Sequence, residues 1–406
     1  MKWEEVKLED ISTNIQTGPF GSQLHQYDYS ETGTPVVMPK DLTDGIISEQ
    51  SIARVSEDHV QRLNRHMIQK GDILYSRRGD VGRCALATEH EAGWLCGTGC
   101  LRITIDETIA DSKFVFYQLQ QEKIVGWVEK HAVGATMLNL NTTILSNIPL
   151  RLPPLEIQRR IADILSAYDD LIENNRKQIK LLEESAQRLY KEWFVDLRFP
   201  GHEHTRIVDG VPEGWEIDIL SNVVKTASGG TPARNHPEYY TNGFNLWVKT
   251  QELTDGFILD TEEKITDEAI KNSSAKLVLK GSILMAMYGA TIGKLGIATQ
   301  DLTCNQACCV FDISDFKYGA MYLFCWLLAN RNLMIKLGKG AAQSNLSQAM
   351  IKNLKILVPC SNVLYQFSCF VDSLYLQILN IQKQITILSE SRDRLLPKLM
   401  SGDVEE

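Results

Sequence analysis

The sequence predicts an α+β protein made by tandem duplication. A globular domain followed by a long helix occurs twice, and the two helices pair as an antiparallel coiled coil. Three observations carry this prediction. The chain repeats itself along its whole length, each copy opens with short strand-like runs between turn signals, and each copy closes on a heptad of apolar residues.

The repeat is collinear. Leu42-Thr43-Asp44-Gly45-Ile46-Ile47 returns as Leu253-Thr254-Asp255-Gly256-Phe257-Ile258, and Lys70-Gly71-Asp72-Ile73-Leu74 as Lys280-Gly281-Ser282-Ile283-Leu284. Gly134-Ala135 with Asn139-Leu140 returns as Gly340-Ala341 with Asn345-Leu346. Gln178-Ile179, Leu182, Glu184-Ser185 and Arg188-Leu189 return as Gln384-Ile385, Leu388, Glu390-Ser391 and Arg394-Leu395. The spacing drifts from 212 residues at Trp3/Trp215 to 206 at Gln178/Gln384, as loop insertions would cause.

Within each copy the first part is strand-like. Val36-Val37-Met38, Ile73-Leu74-Tyr75 and Cys100 to Thr104 are strand candidates, with counterparts near Trp247, Ile283 and Val310. Lys113 to Gln121 and Met321 to Asn330 read as helices among them. The second part has no Gly or Pro from Ile157 to Trp193. Apolar residues fall there at Ile157, Ile161, Ile164, Tyr168, Leu171 and Ile172, then at Ile179, Leu182, Ala186, Leu189 and Trp193, in the steps of a coiled-coil seam. At about 1.5 Å per residue this is a rod of roughly 55 Å. The second copy keeps its seam at Phe367, Val371, Leu374, Ile378, Ile381, Ile385, Leu388, Leu395 and Leu399, interrupted at Arg392, and Pro397 is expected to fray or end it. Asn175 and Asn380 read equally as register-setting seam residues or as solvent-facing irregularities. Pro200-Gly201, Asp209-Gly210 and Pro212 mark a turn-rich linker between the copies.

Composition narrows the function. The 406 residues are 44% hydrophobic and 23% charged, an ordinary globular balance. No run approaches about 18 apolar residues, so no membrane partner is expected. The polar start Met1-Lys2-Trp3-Glu4-Glu5 gives no secretory signal, and the expected location is cytoplasmic. With 42 Lys and Arg against 51 Asp and Glu, the net charge of −9 excludes a globally basic coat but not a local basic surface. Nine cysteines in apolar segments read as reduced, mostly buried thiols. Cys96-x3-Cys100 and Cys304-x3-Cys308 lack the short knuckle spacing and nearby His of a zinc site, so no metal is expected.

Catalytic signatures are missing. Gly289 to Leu295 imitates a phosphate loop but is one residue short between its glycines and has Leu after Lys294 where Ser or Thr should bind magnesium. There is no nucleophile elbow, zincin motif, Rossmann glycine pattern or Asn-Pro-Pro-Tyr, and acid–acid–lysine combinations such as Glu262-Glu263-Lys264 are common on solvated faces and do not make a nuclease site.

What remains is a binding constellation. Arg62, Arg65, His66, Lys70, Arg77, Arg78 and Arg83 form a basic run beside the turn glycine Gly79, which reads equally as a solvated hairpin or as a set of guanine and phosphate contacts. The loop Thr17-Gly18-Pro19-Phe20-Gly21-Ser22-Gln23 corresponds to Ala227-Ser228-Gly229-Gly230-Thr231-Pro232 with Arg234. His131 to Asn141 corresponds to Lys339 to Ser347, where Gln343, Ser344 and Asn345 stand together. Asn and Gln suit adenine, Arg suits guanine, and the recurrence of these loops in both copies favours base readout over idle turns. The expected DNA contacts are Thr17, Gly18, Phe20, Gly21, Ser22, Lys40, Arg77, Arg78, Gly79, Arg83, Thr136 and Asn139 in the first copy. Those in the second are Gly229, Gly230, Thr231, Arg234, Lys249, Tyr288, Lys294, Gln343, Ser344 and Asn345.

Taken in order and twice over, the Thr17–Ser22 and Ser228–Pro232 loops, the Lys70–Leu74 and Lys280–Leu284 turns and the Leu152-Pro-Pro-Leu-Glu-Ile-Gln158 lead-in resemble the specificity subunit of type I restriction-modification enzymes. The resemblance spans essentially the whole chain. It implies a target-recognition domain over 1–152, a spacer helix over 153–195, a linker over 196–212, a second recognition domain over 213–358 and a second spacer helix over 359–406. Each recognition domain would read one half of a bipartite asymmetric site in double-stranded DNA. The helices would set the gap and dock two modification methyltransferase subunits. The chain itself would bind no cofactor. S-adenosylmethionine would come with those subunits, and ATP and Mg2+ with the restriction (motor-nuclease) subunits. Such a system would belong to a bacterial or archaeal cytoplasm. The two halves diverge where they would read different bases, Arg77-Arg78 being replaced by Met287-Tyr288, and the second helix departs from the family's usual opening, with Val358-Pro-Cys-Ser-Asn362 where the first has Leu-Pro-Pro-Leu-Glu. A stand-alone nuclease or methyltransferase with tandem recognition domains is the competing expectation, and a coiled-coil scaffold without nucleic acid is the third.

Overall fold

A computed structural model describes residues 3–134, 138–338 and 345–401. The chain forms two compact units, residues 1–172 with 388–406, and residues 173–387. Each long helix is therefore divided between them.

The first unit opens with the strand Glu4–Lys7, which pairs antiparallel with Pro149–Leu152 at the far end of the globular part. The main sheet has four antiparallel strands in the order Ser12–Thr17, Cys100–Ile105, Ile73–Ser76, Cys84–Leu86. A second four-stranded sheet holds Leu95–Cys96 parallel to Thr34–Val37, with Ala53–Val55 and Tyr29–Ser30 beyond. Ile73, Leu101 and Ile103 face Phe114, Val115 and Leu119 of the helix Ser112–Leu119 in one apolar core. Asp111 caps that helix through the Phe114 amide at 2.9 Å.

The long helix Leu155–Tyr190 begins directly after the closing strand. Gln158 of the lead-in is buried there, accepting from the Asp111 amide at 3.0 Å and donating to the Pro153 carbonyl at 2.9 Å. Both ends of a buried amide are thus satisfied. The seam differs from the sequence expectation at two positions. Ile164 and Leu171 are exposed, whereas Ala162 and Leu165 are buried with Ile161. The cause is that this part of the helix packs on the globular core, which widens and rotates its buried face. Residues of the second long helix, Ser361–Ser401, join the same core through Leu396, Leu399 and Met400. Arg392, which interrupts the apolar seam, meets Asp169 at 2.6 Å.

Pro397 does not end its helix, which runs to Ser401. Proline deprives only the Asp393 carbonyl of an intrahelical donor, Asp393 is exposed to water, and burial of Met400 one turn on holds the segment in place.

The second unit repeats the plan. Glu216–Ile219 pairs antiparallel with Lys355–Val358. A five-stranded sheet runs Lys225–Ser228, Cys308–Asp312, Ile283–Ala286, Leu295–Ala298, Gly256–Ile258, the last pair parallel. Three strands form a second sheet, in which Asn245–Val248 lies parallel to Thr303–Cys304. The helix Ala320–Ala329 is apolar almost throughout and is buried. Val363, Leu364, Phe367, Val371, Tyr375 and Ile378 of the second long helix share a core with Ala186, Tyr190, Trp193 and Phe194 from the first. The Trp193 ring lies 5.9 Å from that of Phe367. The last turn of the first helix, Lys191–Val195, widens to a π-helix there. Asn175 is buried, and Asn380 faces solvent.

Asp255, held in the left-handed region at φ 71°, accepts from Lys294 at 2.7 Å and from the Arg331 guanidinium. Glu183 on the first helix sits beside this cluster. Burial and then the Asp255 charge push its carboxyl up to about 7, with Lys294 opposing. Gln382 of the second helix accepts from the Phe257 amide at 3.1 Å, so the hairpin at Asp255 is fastened to that helix.

The nine thiols are free, and seven are buried. Among the described residues no group of three or more His, Cys, Asp or Glu is placed to hold a metal ion. No described helix is long and apolar enough to cross a membrane.

Candidate nucleic-acid interface

In the first unit, three loops far apart in sequence converge. Gly18 leaves the strand Ser12–Thr17 and donates to the Cys100 carbonyl at 2.9 Å. A Cβ on Gly18 would lie 2.0 Å from the Gly97 carbonyl oxygen, so only glycine permits this crossing. The following loop folds on itself, with Gln23 amide to Phe20 carbonyl at 2.8 Å, and exposes Phe20, Gly21 and Ser22. The Arg77 guanidinium stands 5.9 Å from the Phe20 ring. Its Nε donates to the Leu140 carbonyl at 3.3 Å, while the Arg77 amide donates to Gly99 and the Leu140 amide to Arg77. Burial and then the charge of Arg78 hold the Arg77 pKa below the usual arginine range. Gly79, at φ 78°, donates to the Leu138 carbonyl, and Arg78 bridges Asn139 through the backbone.

The cations of this face differ in freedom. Among the described residues the exposed Arg78 side chain has no hydrogen bond or ion pair. Arg83 is tied to Asp80 at 2.6 Å, and Lys40 to the Ser51 carbonyl at 3.0 Å. The remainder of the basic run is engaged by neighbours within the unit. Arg65 donates to His66, a buried ring pushed down to about 4 by burial, then by the charges of Arg65 and Arg102. Arg62 donates to the Gln23 carbonyl, and Lys70 pairs with Glu89 at 3.5 Å. Thr136 lies outside the described residues.

The second unit builds the same crossing with different side chains. Gly230 donates to the Cys304 carbonyl at 2.9 Å, and a Cβ on Gly229 would lie 2.1 Å from that oxygen. Trp247 Nε1 donates to the Gly230 carbonyl at 3.1 Å. The Thr231 hydroxyl donates to Gln306 Oε1. Arg234 lies 4.4 Å from the Tyr240 ring centre and 5.2 Å from that of Trp247, and forks onto Glu263 at 2.6 and 3.1 Å. Lys249 is gripped by Glu262 and Glu263 at 2.6 and 3.0 Å. Glu262 and Glu263, the two acids of the Glu-Glu-Lys combination, thus neutralise these two cations. Tyr288 is partly exposed beside the turn Gly289–Thr291. Lys294 stands apart from this group, spent on Asp255. Leu346 donates to the Met287 carbonyl, next to the exposed Asn345, while Gln343 and Ser344 lie outside the described residues.

Sequence reasoning missed one component. The turns inside Cys96-x3-Cys100 and Cys304-x3-Cys308 lie at the centre of each loop cluster. The spacing of these cysteines draws attention to the buried thiols and not to the residues between them. Burial pushes Cys96 up to about 12, and Cys308 is raised further by a hydrogen bond with Cys304 and by burial, so these thiols serve the core. The recurrence of the spacing in both copies was the available signal.

Residues 1–184 and 212–388 both match the family described as the type I restriction modification DNA specificity domain. The MjaIX specificity subunit of Methanocaldococcus jannaschii is 27% identical, over 99% of this chain and 93% of the relative. The HindI specificity subunit of Haemophilus influenzae is 23% identical, over 99% of each. The solved S subunit of a type I restriction-modification system from M. genitalium has a TM-score of 0.59 at 17% identity, covering 98% of this chain and 96% of its own, which establishes a common fold. Two matched segments, one in each copy of the repeat, place this chain in the type I restriction-modification DNA specificity family.

Proposed function

We propose that this chain is the non-catalytic DNA-specificity subunit of a type I restriction-modification complex. The globular parts, 1–152 and 213–358, each read one half of a bipartite asymmetric site in double-stranded DNA. The segments 153–195 and 359–406 form paired spacer helices, with 196–212 as linker. Two modification methyltransferase subunits dock on those helices and bring S-adenosylmethionine. Motor-nuclease subunits bring ATP and Mg2+. The setting is the cytoplasm of a bacterium or archaeon.

The observation that carries the reading is the loop crossing built twice with different side chains: Phe20, Arg77 and Arg78 in one unit, Thr231, Arg234 and Tyr288 in the other. A symmetric dimer reads a palindrome. A fused duplication keeps the repeated scaffold and lets the half-sites differ. Antiparallel pairing of the helices is supported within each unit. In the first, Asp169 meets Arg392, and Ile161 shares a core with Met400. In the second, Trp193 meets Phe367, while the earlier Gln187 and Glu183 lie near Tyr375. Membership of a specificity family favours this reading over a stand-alone nuclease or methyltransferase.

Co-expressed with its cognate methyltransferase subunit, the chain should direct adenine methylation at one gapped sequence. Methylome sequencing with and without the chain checks this. A methylome unchanged by its deletion overturns the proposal, as does turnover by the isolated chain with Mg2+ and S-adenosylmethionine.

A further inference from the structure

We infer that the residue at the crest of the Cys-x3-Cys turn, Thr98 in the first unit and Gln306 in the second, selects one base of each half-site. The inference rests on the DNA reading above and deepens it.

The turns share one backbone frame. Gly97 donates to Val37 and Asn305 to Val248, both at 2.9 Å. Cys100 donates to Gly97 and Cys308 to Asn305, both at 3.2 Å. Arg77 donates to Gly99 at 2.8 Å and Met287 to Ala307 at 2.9 Å. Leu140 donates to Arg77 at 2.8 Å and Leu346 to Met287 at 2.9 Å. Each turn is therefore stitched on one side to a parallel strand pair and on the other to the hairpin and the strap that follows it. The glycine loop closes over it, at Gly18 or Gly229–Gly230. Positions whose backbone is fixed on all sides hold a side chain with little freedom, which is the requirement for base discrimination.

The crest residues are the chemistry that this frame leaves unspent. Thr98 Oγ1 is buried and has no hydrogen-bond partner, an uncompensated position for a hydroxyl. Asn139 Oδ1, on the adjoining strap, is in the same condition. Gln306 is exposed, and its Oε1 is fixed by the Thr231 hydroxyl. That bond aims the amide, and among the described residues its Nε2 hydrogens are unused. A hydroxyl that donates or accepts and an oriented amide donor are different readers, so the same frame selects different bases in the two units. The flanking cations fit a supporting role. Arg77 is partly sequestered against Phe20 and Leu140, and Arg234 and Lys249 are engaged by Glu263.

The test uses the chain in complex with its methyltransferase subunit and reads the methylated motif by sequencing. Thr98→Val removes the hydroxyl at constant shape and should lower preference about tenfold at one position of one half-site, the other half staying intact. Thr98→Ser should keep the parent motif. Gln306→Glu should do the same to one position of the opposite half-site, and Thr231→Val should relax that same position by freeing the amide. Thermal melts within a few degrees of the parent establish that the variants are folded. An unchanged motif in either Thr98→Val or Gln306→Glu overturns the inference while leaving the DNA reading standing, as does a change in both half-sites from either single variant. A parent complex with no gapped motif overturns the DNA reading, and this inference with it.

Discussion

At the residue scale, Gly18 and Gly229 mark where backbone meets backbone. Adding one methyl to either forces it into a carbonyl 2.0 or 2.1 Å away. Gly18→Ala and Gly229→Ala should each cost about 1–3 kcal/mol by overpacking, seen as a lower Tm. Among the described residues Arg78 is the exposed cation of its loop without a side-chain partner, while Arg77 is held by Leu140 and lies near Phe20. Arg77→Ala should therefore weaken one half-site and also loosen its own loop. Arg78→Ala should reveal its role through salt: a shallower salt slope for all sequences marks a phosphate contact, and a loss of roughly 1–3 kcal/mol confined to one base marks readout.

Glu183 is a residue with a signed pH effect. Its folded pKa is raised, so its contribution is fully present below about 4.5 and is lost as pH rises through about 7. Glu183→Gln should thus raise Tm at pH 8 and leave it nearly unchanged at pH 4.5. An equal gain at both values would mean that charge at this position is immaterial.

At the scale of the element, the first long helix teaches why periodicity has a limited resolution. Ile164 and Leu165 are adjacent and equally apolar, and steps of three and four accept either. The choice is made by what the helix lies on, here the globular core of the first unit. Leu165→Ala should cost about 2–5 kcal/mol, and Ile164→Gln less than about 0.5 kcal/mol, by denaturant titration. Arg392 interrupts the apolar seam in the sequence. It is a partly exposed pair with Asp169, which also accepts from the Tyr117 hydroxyl. Because the pair is partly solvated, Arg392→Ala should cost only about 1 kcal/mol in the first unit.

At the scale of the molecule, the duplication, the strands near Val36, Ile73, Cys100, Trp247, Ile283 and Val310, and the two long helices were legible because each is a local pattern used twice. The loop cluster was legible in part. Glycines and arginines mark Gly18, Arg77 and Gly79, whose roles follow from local backbone chemistry. The state of Arg234 was hidden, because its partner Glu263 lies 29 positions away along the chain. The crest turns were hidden for a different reason: cysteine spacing drew attention to sulfur, whereas the useful atoms are on the residue between. The net charge of −9 coexists with these cations because Glu262, Glu263, Asp80 and Asp255 sit against them.

The division of the helices has a consequence in time. The second unit is one continuous stretch of chain, residues 173–387, but the first is closed only by residues 388–406. On the ribosome the second unit is expected to mature once its last residue has emerged, while the first, although synthesised earlier, waits for Leu396, Leu399 and Met400, which share a core with Ile161 and Leu165. Ending translation at Ile387 should therefore injure the beginning of the protein. Limited proteolysis of that shortened chain should cut within residues 1–172 first and leave the later-made unit protected.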